Sequence, residues 1–392
     1  MKSKLSKYTT AILWLVILIY GGLCFYLFYM QSVQPLDYNN RYFKSDLPYH
    51  ISMIIDDGWY YSFTAYAYQL LYRAGGNGTV LIALFLAAAS VLCIFLTERL
   101  LALLLGREGA DALTLGCALL LNLVMPFFWR YAGEYRYVSY QAGNIWHNST
   151  YQIMKPAALA AVIYYLKTEK GYRDCVSGRQ WLILAGLLAL CTGIKPSFLT
   201  VFAPVLAVKL LADLCGKAPF KQVFLLGSTV LPACGVILWQ NMVLFGTDTG
   251  HGIALSPWYT FSLHASRTKV AVLCSAAFPL IVLLFSAGEL LRDRRYFFAW
   301  GMTGAGFLEA LLLVETGSRS RDGNFLWGYS IALFLIFVFS LEKWLLLLKR
   351  KGHCLFYRFA FGVCGCVLAY QLFCGLVFFG RLLQGETYFM IG

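Results

Sequence analysis

Apolar stretches long enough to cross a lipid bilayer recur along the whole chain, and they constrain its fold more than any other feature. The hydrocarbon core of a bilayer is about 30 Å thick, so a spanning helix needs roughly 20 apolar residues. We identify about eleven such stretches, at 9–30, 78–104, 111–128, 153–167, 180–194, 197–214, 222–245, 269–290, 296–314, 327–347 and 354–379. Hydrophobic residues make up 60% of the chain and charged residues 13%, which leaves no room for a separate soluble domain. The sequence therefore predicts an all-α, polytopic transmembrane helix bundle, with residues 1–392 forming a single integral membrane domain.

The basic residues predict how this bundle is oriented. The chain has 32 Lys and Arg against 19 Asp and Glu, and most of the basic residues fall in loops on the same side as the lysine-rich N-terminus. Cytoplasmic loops of membrane proteins carry such an excess. We therefore expect a multi-pass protein of the plasma membrane with its N-terminus inside and, after eleven spans, its C-terminus outside. The positive charge attracts anionic membrane lipid and gives no reason to expect a nucleic-acid partner.

Chemically reactive side chains concentrate in the loops predicted to face outwards. Four of the five histidines lie there: His50, His147, His251 and His264. None of the 12 cysteines does, so an oxidising exterior finds no thiols to pair. This asymmetry indicates that the protein acts at its outer face.

The first outer loop, 31–77, places an acidic residue and a histidine on one predicted helix face. The segment Asp46–Asp57 is typical of a short helix, and residues four apart on a helix share a face, which brings Asp46 beside His50. A carboxylate so placed can act as a general base, and with His50 it can help to hold a divalent metal ion. The alternative is a capping aspartate with an interfacial histidine. A further interfacial helix is expected within 59–72.

The second outer segment and the turn between the fifth and sixth spans carry candidates for binding a sugar phosphate. Trp146 can stack on a sugar face while His147 and Asn148 hydrogen-bond its hydroxyls. Lys155 and Lys195 each precede a proline at the predicted outer boundary of a span, where an ammonium group can meet a lipid phosphate. The alternative is an aromatic belt with snorkelling lysines, which is common in membrane proteins.

The fifth outer segment carries two arginines two residues apart, Arg319 and Arg321. Arginine suits phosphate because its planar fork bonds two oxygens at once. Asn324 then turns the chain into a span that starts at Trp327. With Trp258 of the fourth outer segment, Trp327 is a further candidate platform for a sugar. The alternative is a charged loop in which nearby acids compensate the arginines.

Together these features resemble the GT-C superfamily of polytopic glycosyltransferases. In that superfamily a single anchor leads to an outer loop with helices along the membrane, a catalytic acidic residue lies early in that loop, and around eleven or more spans follow. The segment Phe43–Ile51 occupies the matching place, so the resemblance implies that Asp46 is the acidic residue. The chain departs from several GT-C families in having Asp46-Leu47 where they carry two adjacent acids. Three short segments of the chain are more similar to those of a group of uncharacterised polytopic proteins of Gram-positive bacteria. These segments are Trp146–Thr150, Lys195–Phe198 and Gly323–Tyr329.

The resemblance implies transfer of a sugar from a polyprenyl-phosphate carrier to an envelope glycan or lipid. Asp46 would take the proton of the acceptor hydroxyl, and His50 would orient Asp46 or a metal ion. The residues expected to hold the carrier phosphate are Lys155, Lys195, Arg319 and Arg321. Two alternatives remain: a transporter or flippase for a lipid-linked saccharide, and a non-catalytic partner in an envelope assembly complex.

Overall fold

The protein is described by a computed structural model that covers residues 4–37, 39–107, 111–137, 141–246, 252–263, 265–351 and 354–392. Within these ranges the fold is almost entirely helical. The α-helices are α1 (Lys4–Ser32), α2 (Leu47–Ile55), α3 (Phe63–Arg73), α4 (Gly78–Leu104), α5 (Ala112–Leu121), α6 (Ser149–Glu169), α7 (Gly178–Ile194), α8 (Ser197–Cys215), α9 (Phe220–Gly227), α10 (Leu231–Phe245), α11 (Tyr259–Ser262), α12 (Thr268–Ser275), α13 (Ala277–Arg292), α14 (Arg294–Leu312), α15 (Leu326–Lys351) and α16 (Leu355–Leu383). Two short strands, β1 (Ile253–Leu255) and β2 (Leu313–Glu315), pair antiparallel. Short 3-10 helices cover Ser228–Val230 and Gly317–Arg321.

Six helical segments among the described residues are long and apolar enough to cross a membrane. They are Tyr8–Ser32, Gly78–Leu104, Ser197–Cys215, Phe220–Leu244, Arg319–Leu347 and Leu355–Leu383. Helices α12 and α13 make a seventh if they count as one span bent by 70°. The chain is therefore a helical membrane protein, as the sequence predicts, while the larger number of eleven spans stays a prediction.

The two short helices expected in the first outer loop are present as α2 and α3. Pro48 lies in the first turn of α2, where its missing N–H leaves no hydrogen bond unmade. The Asp46 side chain precedes α2 without capping it. The Ser45 hydroxyl instead accepts a hydrogen bond from the Leu47 amide at 3.3 Å. The Asp46 carboxylate is therefore available for contacts outside its own helix.

The third predicted span, 111–128, is wrong over its second half, because α5 ends at Leu121. The Asn122 amide donates to the Ala118 carbonyl at 2.9 Å. The Met125 backbone N–H then donates to the carbonyl of Gln371 in α16 at 3.1 Å. Since a carbonyl of the neighbouring helix α16 accepts the Met125 N–H, this backbone group is hydrogen-bonded without a helical conformation.

Four helices connect two polar ends of the bundle. Helices α6, α8 and α15 begin at one end, where α14 finishes and β2 follows. At a rise of about 1.5 Å per residue, the 21 residues of α6 carry it roughly 30 Å to the other end. Residues 148–150, 195 and 313–327 gather at the first end, and residues 169–173, 209–213, 293–295 and 342–343 gather at the second.

Candidate functional site

The first turn of α6 organises a group of polar side chains at the first end of the bundle. Asn148 contacts Asp46, Ser149 contacts His50, and Thr150 contacts Lys195. Three consecutive residues thus hold three charged or titratable side chains from two other parts of the chain, the start of α2 and the turn between α7 and α8. We call these six residues the polar cluster.

The Asn148 side chain fixes Asp46 and caps α6 at the same time. Its carbonyl oxygen accepts from the Tyr151 backbone N–H at 2.9 Å and from the Thr150 hydroxyl at 2.8 Å. With that oxygen committed to the cap, the amide NH₂ donates to Asp46 Oδ2 at 2.7 Å. The Asp46 backbone N–H also donates to the His147 carbonyl at 3.0 Å. The carboxylate therefore lies at the N-terminal end of α6, within hydrogen-bond distance of its capping residue.

His50 lies one turn after Asp46 on α2, as the spacing predicts. Its Nδ1 makes a 2.9 Å hydrogen bond with the Ser149 hydroxyl. Burial lowers the pKa of His50; the nearby Asp46 carboxylate opposes this, and the Lys195 ammonium adds to it. A neutral imidazole is therefore favoured at neutral pH, and His50 is suited to hydrogen bonding.

Lys195 lies in the two-residue turn between α7 and α8. Its ammonium donates to the Thr150 hydroxyl at 3.1 Å and lies 4.7 Å from the centre of the Trp327 ring. Burial lowers its pKa to about 8, with the charges of Asp46, Arg319 and Glu315 acting on it in addition. The lysine is thus a partly desolvated cation whose charge can be lost within the physiological pH range.

Arg319 reaches the polar cluster through Glu315 and Trp327. Glu315 Oε2 lies 3.6 Å from Arg319 Nε and accepts from the Asn324 amide at 2.5 Å. The Asn324 carbonyl oxygen accepts in turn from the Trp327 indole N–H at 3.3 Å. Because the Lys195 ammonium also lies over the Trp327 ring, one ion pair, two hydrogen bonds and one cation–π contact link the arginine to the lysine. Two distant segments of the sequence therefore supply four predicted residues that lie close together here: Lys195, Arg319, Asn324 and Trp327.

Aromatic rings border the polar cluster where the C-terminal segment returns to the first loop. The His147 ring stacks on Tyr388 at 3.7 Å, and Tyr137 packs edge-on against His147 at 4.7 Å. Burial raises the pKa of Tyr388, and the Asp46 carboxylate raises it further. The Phe43 backbone N–H donates to the Gly385 carbonyl at 2.9 Å. His147, predicted to bind substrate, thus lies in an aromatic wall beside Asp46.

The structure does not bring Trp146 and Lys155 to the cluster. Trp146 is only 2% exposed and packs on Phe379 at 5.1 Å between ring centres, so it lies in the core rather than at an open sugar-binding surface. Lys155 is 4% exposed, and its ammonium donates to the side-chain carbonyls of Asn122 at 3.1 Å and Asn144 at 2.5 Å. Its predicted place at the membrane boundary is corrected to a buried one, where it joins α6 to the loops around it.

Two further candidates lie apart from the cluster. Trp258 packs against Phe261 and Phe307 near the end of α14. Arg321 is exposed on the 3-10 helix that also carries Arg319. His251 and His264, which the sequence places on the outer side, lie outside the described residues.

The described residues around Asp46 offer few side chains that commonly bind a metal ion. Among the described residues, no group of three or more His, Cys, Asp or Glu side chains is arranged to hold one. Asp46 and His50 offer two donors, and the electrostatic effect of Lys195 on His50 shows that a cation already lies close by. We therefore assign the positive charge of the site to Lys195 and Arg319.

No family model matches the chain, and no curated protein matches it. The site is therefore interpreted from its own geometry.

Sequence reasoning passed over Ser149, Thr150 and Tyr388 as functional residues. The first two were detectable, because Asn148 followed by two hydroxyl residues is typical of a helix start with side chains directed away from the helix. Tyr388 carried no signal, since its partner His147 lies more than 200 positions earlier in the chain.

Proposed function

We propose that this protein transfers a sugar from a polyprenyl-phosphate carrier to an envelope glycan or lipid at the outer face of the plasma membrane. The observation that carries the proposal is the position of the Asp46 carboxylate and two cations, Lys195 and Arg319, at one end of a membrane-embedded bundle, where Arg319 is paired with Glu315 and Asp322. This proposal includes the arrangement of eleven spans with the N-terminus inside, which directs the polar cluster outwards.

The cations supply what a carrier phosphate needs. Breaking the bond between a sugar and a phosphate places extra negative charge on the phosphate oxygens, and fixed cations in a partly desolvated site stabilise that charge. Lys195 is held by Thr150 and Trp327, and Arg319 by Glu315 and Asp322. Both are therefore positioned before a ligand arrives. The Trp327 ring beside them offers an apolar face for the sugar.

Asp46 supplies the base. As the acceptor hydroxyl oxygen bonds to the anomeric carbon, the bond from that carbon to the phosphate oxygen breaks, and polyprenyl phosphate leaves. The acceptor proton passes to Asp46, whose carboxylate is held by the Asn148 amide. A positioned general base contributes typically 10²–10⁴-fold to such a step. His50 positions the first turn of α6 through Ser149.

The test compares two aspartates of the same loop. Asp46→Asn keeps the shape of the side chain and removes its basicity, whereas Asp57→Asn changes an exposed carboxylate just beyond the end of α2. The purified proteins are placed in nanodiscs with a panel of polyprenyl-phosphate sugars and an envelope extract, and mass spectrometry measures transfer.

We expect Asp46→Asn to lose at least 100-fold in rate while Asp57→Asn behaves as the unaltered protein. Equal transfer by the Asp46→Asn and Asp57→Asn variants would refute the assignment of Asp46 as the base.

A further inference from the structure

The second end of the bundle, roughly 30 Å from the polar cluster, holds a separate charged cavity. The cavity has a volume of about 830 Å³ and opens to the surface between the loop after α6 and the junction of α13 with α14. This volume lies within the range of small-molecule binding sites. Five basic side chains line it: Lys170, Arg173, Arg292, Arg294 and Arg295.

Two of the four acids on the same wall are paired with lysines behind it. Asp293 lies 2.6 Å from the ammonium of Lys343, and Glu169 lies 3.2 Å from that of Lys209. Lys343 and Lys209 do not line the cavity, so they compensate these carboxylates from inside the protein. Asp293 also pairs with Arg295 at 3.2 Å. Besides these pairs, the wall carries four bases, Lys170, Arg173, Arg292 and Arg294, and two acids, Asp174 and Glu289.

The arginines are not fully satisfied by their protein partners. Arg173, Arg294 and Lys209 all converge on the single carboxylate of Asp213, and Arg173 and Arg294 share one of its oxygens. Arg294 reaches that oxygen only at 3.5 Å, and its side chain is 67% exposed. Two arginines that share one carboxylate oxygen leave guanidinium N–H groups for a ligand in the cavity that they line, and Arg292 adds another exposed guanidinium.

We infer that this cavity is a second binding site and that it takes a phosphate-bearing ligand. A guanidinium fork bonds two phosphate oxygens at once, and several forks around one cavity suit a phosphate better than a single carboxylate. With the N-terminus inside, this end faces the cytoplasm, where the phosphate can belong either to the headgroup of an anionic lipid or to a free phosphate compound. The site is independent of the proposed sugar transfer.

The test measures ligand-induced stabilisation of the full-length protein. Its unfolding temperature is followed in detergent with increasing inorganic pyrophosphate, against sodium chloride of equal ionic strength. In a second arm it is measured in nanodiscs of phosphatidylglycerol and of phosphatidylcholine.

The test variant is Arg292→Gln/Arg294→Gln, two exposed arginines of the cavity. The control is Arg179→Gln/Lys221→Gln, which removes the same charge from exposed positions at the same end but outside the cavity.

We expect stabilisation by at least one ligand in the unaltered protein and the control, with half-saturation raised tenfold or more in the Arg292→Gln/Arg294→Gln variant. Stabilisation by pyrophosphate in detergent identifies a free phosphate compound, and stabilisation by phosphatidylglycerol alone identifies a lipid headgroup. The inference is overturned if neither ligand stabilises the protein, or if the cavity variant and the control respond alike. Since transfer is not measured, either outcome leaves the proposed function to its own test.

Discussion

At the scale of single residues, the side-chain amide of Asn148 has two roles, one for its oxygen and one for its nitrogen. Its oxygen caps α6, and its nitrogen holds Asp46. A substitution can separate the two roles, because aspartate caps a helix as well as asparagine does but has no N–H to donate.

We predict that Asn148→Asp keeps the cap of α6 and lowers the activity of the protein. The new carboxylate still accepts from the Tyr151 amide, but it faces Asp46 with a like charge in place of a donor. Hydrogen bonds to charged groups contribute about 1.5–3 kcal/mol, so a loss of roughly 10- to 100-fold in transfer rate is expected. Transfer, measured on protein that thermal unfolding shows to be folded, checks this; transfer at the unaltered rate would contradict the role of the Asn148 amide in holding Asp46.

Lys195 should make binding of the carrier phosphate depend on pH in the alkaline range. Its pKa of about 8 means that the ammonium is charged below pH 8 and neutral above it. Binding of the carrier phosphate should therefore weaken as the pH rises through 8, and stay strong below it.

Lys195→Arg keeps its charge throughout this range, because arginine is not deprotonated in proteins. Carrier binding measured from pH 6.5 to 9.5 should fall for the unaltered protein and stay level for this variant. If carrier binding fell equally for the unaltered protein and for Lys195→Arg, Lys195 would not be the titrating group.

At the scale of helices, α14 and α15 pack closely enough to leave no room for a side chain at their crossing. A Cβ atom added to Gly306 would lie 2.8 Å from the Cα atom of Tyr329 and 3.0 Å from the carbonyl carbon of Gly328. Both neighbours are backbone atoms, so they move only if the helix moves. Small residues allow this kind of approach between membrane helices.

We predict that Gly306→Ala destabilises the protein by about 1–3 kcal/mol, as overpacking does. Gly304→Ala is the matched control on the same helix, because nothing lies within 4 Å of the added Cβ there. The Gly306→Ala protein should unfold at lower temperature, and the Gly304→Ala protein at the same temperature or higher. Equal unfolding temperatures would show that the crossing of α14 and α15 is looser than described.

The helices were predictable to different degrees. Long uniform apolar runs such as α4 could be placed from the sequence, because each is longer than the membrane needs. The end of α5 could not, since it depends on a backbone bond from Met125 to a carbonyl of α16, about 250 positions later. A local apolar pattern carries no information about such a partner.

The residues of the candidate site also differ in how far the sequence alone predicts their positions. Asp46, His50 and Asn148 follow from local rules for helix faces and helix starts. The burial of Lys155 does not, because it depends on Asn122 and Asn144 being turned towards it by two separate loops. From the sequence alone, Lys155-Pro156 and Lys195-Pro196 look alike, and only the fold separates their environments.

At the scale of the whole molecule, the bundle has two charged ends with different arrangements of acids and bases. Four helices connect them: α6, α8, α14 and α15. One end has the Asp46 carboxylate, Lys195 and an Arg319 that is paired with Glu315 and Asp322, and the other has a cavity rich in arginine. If the proposed orientation holds, the first end is outside the cell and the second is inside.

Native cysteines test this orientation without any substitution. Cys175, Cys215 and Cys354 are exposed, and all three are predicted to lie on the cytoplasmic side. A membrane-impermeant maleimide should therefore label them in inverted vesicles and leave them unlabelled in intact cells. Labelling of the three in intact cells would reverse the orientation and with it the outward direction of the polar cluster.

The most direct test of the central claim is a native mass spectrum of the protein purified gently from its own membranes. We predict a co-purifying polyprenyl-phosphate species that is retained by an Arg73→Gln/Arg130→Gln control, which removes two exposed arginines from the predicted outer loops. The same species should be lost from a Lys195→Gln/Arg319→Gln variant. A spectrum of the unaltered protein that shows only bulk phospholipid would contradict the claim that Lys195 and Arg319 hold a carrier phosphate.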